Sequence, residues 1–323
     1  MAEDLSVVIV SWNTRDRLRA CLQALPAAAE GLTCGILVAD NASADGTPAM
    51  VRDDFPRVQL LETGANVGFG RACNLGAEAI GGRRLAFLNP DTVCPPGSLT
   101  SLCDHLDRID DAVAVGPALV DRHERETACW GDLPAPWHHW RELVDPAHAW
   151  LPRRWRDPGL GRTAESARRT PRHRDPATGA LAVPYVKGAC LVTGRATWER
   201  VGPFDERFFM YFEETDWCRR ACQDGGRVYL CPDVRVRHDE GVAAGQVSRF
   251  SLRQLQHSYR LYLAKHEGPT AVARTRRAQL WQYRWKTLLQ RLTRGPRTGE
   301  YALLAALQHE DDLTPTPPTR AEA

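Results

Sequence analysis

Three acids fall within four positions, Glu213, Glu214 and Asp216, directly after the aromatic run Phe208-Phe209-Met210-Tyr211-Phe212. Carboxylates held beside apolar walls and beside one another have raised pKa values. A raised pKa suits a general base that takes a proton from a hydroxyl. The same cluster also fits a solvated helix start favoured by the helix dipole. Other acids stand where apolar runs end. Asp40 follows Gly35-Ile36-Leu37-Val38-Ala39, and Asp91 lies three residues beyond Arg84–Leu88. In an open α/β sheet, ligands bind at the carboxyl ends of strands. A carboxylate there accepts hydrogen bonds from a base or ribose, or holds a divalent cation. Asp40 taken alone fits a turn or cap equally well.

Two further features belong to the same chemistry. Gly64-Ala65-Asn66-Val67-Gly68-Phe69-Gly70-Arg71 is a glycine-rich stretch opening a helix, where backbone N–H groups favour an anion and Arg71 adds a donor. Glycines of ordinary tight turns give the same pattern. His238 ends the run Val234-Arg235-Val236-Arg237. Imidazole and carboxylate together suit Mn²⁺ or Mg²⁺ when a diphosphate fills the remaining positions.

The exclusions are equally informative. The first strand is followed by Ser11-Trp12-Asn13-Thr14, with no glycine of a dinucleotide fingerprint. No P-loop and no Gly-x-Ser-x-Gly elbow occurs. The net charge of +2 gives no support for nucleic acid as the main partner. Ten cysteines are scattered without a Cys-x-x-Cys pair, which predicts reduced thiols and a cytoplasmic setting. The N-terminal apolar run is too short for a signal peptide, and no run reaches the roughly 18 apolar residues of a membrane span.

The elements that must position these residues alternate. Leu5–Val10, Gly35–Ala39, Val58–Leu61, Arg84–Leu88 and Ala112–Gly116 read as strands, with helices over 17–24, 70–80 and 98–109 between them. This predicts an α/β fold with a parallel sheet covered on both faces. Residues 130–184 lack periodicity and carry Arg153-Arg154, Arg168-Arg169 and Arg172-His173-Arg174, a mobile basic insertion that is either solvated or a lid over an anion. Tyr185–Val192 reads as a strand, 215–223 as a helix, and Val228–Leu230 and Val234–Val236 as two short strands. The division expected is a catalytic domain over 1–245, a helical extension over 246–310, and a disordered tail over 311–323. In the extension, Arg274–Lys286 mixes cations with Trp281, Tyr283 and Trp285. It fits either a helix on an anionic membrane or one packed on the domain with a solvated basic face.

Together these stretches resemble a family 2 glycosyltransferase of the GT-A fold, in the bacterial rhamnosyltransferase-like subgroup. The resemblance is carried by Val7–Asn13, Val38–Thr47, Thr63–Gly70, Leu88–Asp91, Lys187–Cys190 and Gly202–Asp216. It implies a Rossmann-like, mostly parallel mixed sheet flanked by helices. It implies that Asp40, with Ser11 and Asn13, meets the base or ribose of a donor, and that Asn66, Gly68 and Arg71 lie near the nucleotide. Asn89-Pro90-Asp91 stands where the family often has Asp-x-Asp, so Asp91 and His238 would hold Mg²⁺ or Mn²⁺. Gly188 and Ala189 would border sugar and acceptor. The family motif Glu-Asp-x-Asp takes its second acid as base. Here Glu213-Glu214-Thr215-Asp216 puts Glu214 in that role, with Asp216 as competitor. The implied reaction is an inverting transfer from a nucleotide sugar, dTDP-rhamnose ahead of UDP- or GDP-sugars, to a glycan or lipid-linked glycan in envelope or polysaccharide assembly. A tailoring enzyme for a secondary metabolite, a nucleotidyltransferase and a non-catalytic sugar-nucleotide binder are the alternatives.

Overall fold

The structure, a computed structural model, describes residues 3–135, 173–239, 249–292 and 298–310. Its centre is a nine-stranded sheet built on β1 (Glu3–Ser11), β2 (Cys34–Asp40), β3 (Gln59–Glu62) and β4 (Gly82–Leu88), which lie parallel in the order β3-β2-β1-β4. The central residues of β1, β2 and β4 are covered on both faces, which is why they are mostly apolar, whereas the edge strand β3 keeps Gln59 and Glu62 exposed. Leu5, Val7 and Ile9 face one core with Val38, Ala86 and Leu88. Val8 and Val10 face the other with Leu37, Ala39, Leu85 and Phe87. Helices α1 (Arg15–Ala28) and α4 (Ser98–Arg108) cover the first face, and α3 (Phe69–Ala79) covers the second. Helix α2 (Thr47–Asp54) packs beside α1.

The chain runs outward from β1 to β3 and then returns to β4 on the far side of β1. Strand order therefore reverses between β1 and β4, where an open sheet leaves a crevice at its carboxyl edge. Ser11 pairs with Asp40 across that edge, and Asn89 follows Leu88 there.

The second half is mixed. β8 (Cys190–Gly194) enters antiparallel beside β4, then come β6 (Ala112–Val120) and β9 (Arg227–His238). The short β5 (Thr92–Val93) pairs with the end of β9 and sets Thr92 opposite His238. Helices α5 (Arg195–Val201) and α6 (Glu213–Gln223) join the face of α3 through Trp198 and Trp217, whose rings stack at 5.6 Å.

Several sequence expectations are corrected. The two strands expected over 228–236 are one, because a register shift between Pro117 and Ala118 lets Pro232 bulge from the ladder. Tyr185–Ala189 precedes β8 rather than belonging to it. Its Val186 bridges to Trp130, and Lys187 N–H donates to Cys129. The insertion expected over 130–184 has ordered ends, for β7 (Leu181–Val183) pairs with β9. The basic pairs Arg153-Arg154 and Arg168-Arg169, with the lid reading, lie outside the described residues, as does the tail over 311–323.

The C-terminal region holds α7 (Arg249–Glu267), α8 (Pro269–Leu292) and α9 (Thr298–Leu307). Helix α7 packs against the 205–216 segment, so a division at 245 separates residues that are in contact. On the opposite side of that segment, Asn74 of α3 clamps the turn before α6. Its amide donates to Phe204 O at 2.9 Å and accepts from Phe204 N–H at 3.0 Å.

Asn74 is buried, so Asn74→Ala leaves two backbone groups without partners. The expected loss is about 2–3 kcal/mol of unfolding free energy, read from urea denaturation. An unchanged midpoint would refute the clamp.

Candidate active site

The loops after β1 and β2 are stitched together. Asn13, in the left-handed region at φ 53°, donates its N–H to Ser43 Oγ and accepts from Ala44 N–H at 2.8 Å. Asparagine tolerates that backbone better than most residues. Ser11 Oγ lies 2.9 Å from Thr14 Oγ1, so Thr14 does not cap α1 with its side chain. The cap comes from Asp45, which accepts the Arg15 N–H at 2.8 Å. Sequence reading missed Asp45, though Ser-Ala-Asp-Gly-Thr is turn chemistry. The two oxygens of Asp40 differ. One oxygen accepts the Ser43 N–H at 2.9 Å, as in a turn. The other, Oδ1, is buried with no hydrogen-bond partner. Burial pushes its pKa up, against the pull of Ser43. An orphaned buried carboxylate oxygen is an acceptor waiting for a donor.

The glycine-rich stretch serves a different neighbour than expected. Gly68, at φ 89°, sits so close to the 208–212 run that a Cβ there would lie 2.4 Å from Phe209 O. Phe69 N–H donates to that same carbonyl at 2.7 Å. Asn66 Oδ1 accepts the Gly68 N–H, and Asn41 donates to Gly68 O. The close backbone approach is therefore to the 208–212 run. Arg71 faces Glu206 at 3.6 Å, both half exposed, rather than the crevice.

At the centre of the crevice, Asp91 and His238 meet. His238 Nε2 lies 3.2 Å from Asp91 Oδ1 and 3.2 Å from Asn89 Nδ2. Asn89 thus touches the imidazole, and its backbone N–H donates to Ala189 O at 3.1 Å. Burial raises the Asp91 carboxyl, but His238, helped by Arg17, holds it below its ordinary value. Asp239, not singled out from sequence, follows His238 and keeps a buried carboxylate oxygen without a hydrogen-bond partner. No group of three or more His, Cys, Asp or Glu side chains assembles as a metal cluster among the described residues. Asp91 and His238 form a two-donor set, which fits a divalent ion whose other positions are filled by oxygen of a diphosphate.

The acidic cluster opens α6 and divides into three environments. Tyr211 and Phe212 precede it with φ of 72° and 70°. Two consecutive aromatic residues in the left-handed region cost on the order of 1–2 kcal/mol each. That strain is held by α7. Ser258 Oγ donates to Met210 O at 2.8 Å, and the Phe212 ring lies 5.7 Å from Tyr259 and 5.9 Å from Tyr262. Asp216 is fully buried among three nitrogen groups: Arg220 Nε at 3.0 Å, Lys265 Nζ at 2.7 Å and His266 Nε2 at 2.7 Å. Burial lowers the His266 pKa despite Asp216 beside it, which favours a neutral ring donating Nε2–H. Asp216 is thus closed off by this cluster and has no exposed surface. Glu213 is buried beneath Gly70, with Oε2 lacking a hydrogen-bond partner. Burial, then the neighbouring Glu214, drives its pKa well up. Glu214 alone is partly exposed. Burial raises its pKa, opposed by Lys187 and by backbone N–H groups including that of Gly188. A Cβ on Gly188 would sit 3.7 Å from Glu214 Cβ and Cγ, so the glycine keeps the flank of that side chain open.

A crevice with an orphaned carboxylate at the base end, a carboxylate–imidazole pair in the middle and one accessible carboxylate of raised pKa is the layout of group transfer. The profile of glycosyl transferase family 2 matches residues 6–153. The chain is 30% identical over 281 residues to an N-acetylglucosaminyl-diphospho-decaprenol L-rhamnosyltransferase of Mycobacterium tuberculosis, covering 83% of this chain and 87% of that protein. The chain belongs to glycosyl transferase family 2. It is a glycosyltransferase, which sets aside the nucleotidyltransferase and non-catalytic alternatives. A dTDP-rhamnosyl transferase of Shigella flexneri is 23% identical over 251 residues, 75% of this chain and 71% of that one. Among solved structures, a mannosyltransferase of Pyrobaculum calidifontis in complex with GDP-Man and Mn²⁺ superposes with a TM-score of 0.52, 17% identity, and 95% and 84% coverage of the two chains. The fold is thus GT-A.

Two outcomes test the division of the acids. Asp216→Asn removes the anion that Arg220, Lys265 and the His266 ring face, and about 3 kcal/mol of stability is expected to go with it, measured by thermal or urea unfolding. Glu213 has a raised folded pKa, so its stabilising contribution is complete below the ordinary glutamate value and is lost as pH climbs through the raised one. Relative to wild type, Glu213→Gln should gain stability as pH rises above the ordinary glutamate range. Parallel stability–pH curves for the two proteins would contradict this.

Proposed function

We propose that the protein catalyses an inverting transfer of a sugar, rhamnose before others, from a nucleoside diphosphate to a hydroxyl of a lipid-linked glycan. The observation that carries this is the partial exposure of Glu214 between two buried acids, beside the open flank left by Gly188. Glu214 accepts the proton of the acceptor hydroxyl as the oxygen attacks the anomeric carbon in line. Asp40, with its orphaned oxygen, accepts from the nucleobase or ribose, and Ser11 and Asn13 shape the wall beside it. Gly188 and Ala189 border the sugar. Asn66 and Gly68 support the donor pocket through backbone packing. Arg71, paired with Glu206, reaches the phosphates only if that exposed pair opens.

Asp91 and His238 would hold a divalent ion, Mg²⁺ or Mn²⁺, with Asn89 steadying the imidazole. When bound, such an ion neutralises charge on the departing diphosphate. The names of the relatives support both ends of the reading, dTDP-rhamnose as donor and a polyprenyl-diphosphate sugar as acceptor. UDP- and GDP-sugars stand behind dTDP-rhamnose as donors. A lipid-linked acceptor sets the reaction at the inner face of the plasma membrane, with peripheral contact through the C-terminal helical region. No described helix is long and apolar enough to cross a membrane.

Glu214→Gln should lower turnover of dTDP-rhamnose by about 10²–10⁴-fold with an unchanged thermal midpoint. Wild-type kcat/KM should fall on acidification at a pH above the ordinary glutamate value, because the base must be ionised and its pKa is raised. Wild-type turnover in the variant would overturn the base assignment. For the ion, Mn²⁺ and dTDP together should raise the melting temperature more than either does separately. Asp91→Ala and His238→Ala should abolish that synergy. A synergy that survives both substitutions would place the ion elsewhere.

A further inference from the structure

Helix α8 inverts the usual polarity of a surface helix. Its 24 residues include five arginines, one lysine and no acid. The face it buries against the protein is largely polar, with Thr275, Gln279, Gln282 and Thr287. The face it turns outward carries Trp281 at 68% exposure, Leu288 at 47%, Leu292 at 73% and Trp285 at 39%. An ordinary amphipathic helix does the opposite. The apolar side chains recur every three or four residues, so they share one face. Arg277, Arg284 and Arg291 are exposed, recur about every two turns and lie along that stripe. From Arg277 to Leu292 the stripe is about 22 Å long.

Large apolar side chains cost free energy in water, about 1.5–3 kcal/mol each relative to burial. A contiguous exposed set marks an interaction surface. The chemistry of the stripe selects among partners. Tryptophan is favoured at the boundary between headgroups and acyl chains. Arginines within reach of that boundary gain from anionic phosphates, about 1 kcal/mol per cation near the surface. A second copy of the chain would set one acid-free cationic helix against another, which like charge opposes.

We propose that this stripe of α8 is a docking surface for an anionic bilayer. The helix lies in the interface plane with Trp281, Leu288 and Leu292 inserted and the arginines on lipid phosphates. The purpose of docking, to meet a lipid-linked acceptor, rests on the proposed function; the binding itself does not.

The experiment is co-sedimentation of the full chain with vesicles of phosphatidylglycerol and phosphatidylcholine, or of phosphatidylcholine alone. Binding to the anionic vesicles is expected, with a fall at 0.5 M salt and a blue shift of tryptophan emission. The Trp281→Ser/Leu292→Ser double variant should bind at least about tenfold more weakly, with an unchanged melting temperature and unchanged hydrolysis of the nucleotide-sugar donor. Wild type that stays in the supernatant, or a double variant that binds as wild type does, overturns the proposal. So does a wild-type dimer in light scattering that becomes monomeric in the variant, since the stripe would then cover itself. Vesicle binding that persists while Glu214→Gln keeps full turnover would sink the catalytic reading and leave the docking surface intact.

Discussion

The active site depends on one buried carboxylate. Asp216 draws Arg220 of its own helix and Lys265 and His266 of α7 onto a single pair of oxygens. Charge taken out of water is tolerated only when it is paired and hydrogen-bonded, and here each side satisfies the other. The pairing fixes α7 against the start of α6. Through that contact Ser258, Tyr259 and Tyr262 reach the Met210–Phe212 turn and hold it in a conformation that no pair of aromatic residues would choose. Glu214 is presented by that turn. The carboxylate that looked like a competitor for proton transfer is the anchor of the turn that presents Glu214, the proposed base.

From this anchor a continuous run of backbone contacts leads to the other end of the crevice. Phe209 O takes the Phe69 N–H, Gly68 packs on Phe209, and Asn41 holds Gly68 O beside Asp40. Asn13 and Ser43 then tie that loop to the one after β1. The Asp40 loop and the 208–212 run are therefore built on one hydrogen-bonded scaffold, with glycine required at 68 by the 2.4 Å approach. Asn89 plays a comparable part in the middle. Its backbone N–H holds Ala189 O and its side-chain amide meets His238, where a carboxylate would add a second negative charge next to Asp91.

Much of this was legible in the residues. Continuous apolar runs marked strands buried on both faces, and acids at their ends marked the crevice edge. Glu213, Glu214 and Asp216 were recognised as a group, yet their separate duties were not. Those duties are set by partners 50 residues away, such as His266, and by which turn of α6 faces the core; neither leaves a local pattern. Arg71 read as a phosphate donor because Glu206, distant in sequence, was invisible. Leu181–Val183 read as loop because three residues give no periodicity, and its pairing with β9 supplies the order instead. Two short strands were read over 228–236, and the register shift opposite Pro117 shows how a single β9 accommodates Pro232.

The reach of α7 back to Asp216 also orders events in time. A chain emerging from the ribosome completes β1 to β4 early, and those strands can close on local helices. The 208–216 segment follows, but its clamp is still unmade, and the left-handed Tyr211–Phe212 turn has nothing to oppose its strain. Another 50 residues must be translated before His266 appears, a delay of several seconds at about 5–20 residues per second. A nascent chain would thus have the loops after β1 and β2 shaped while Glu214, the proposed base, remains unplaced until α7 docks.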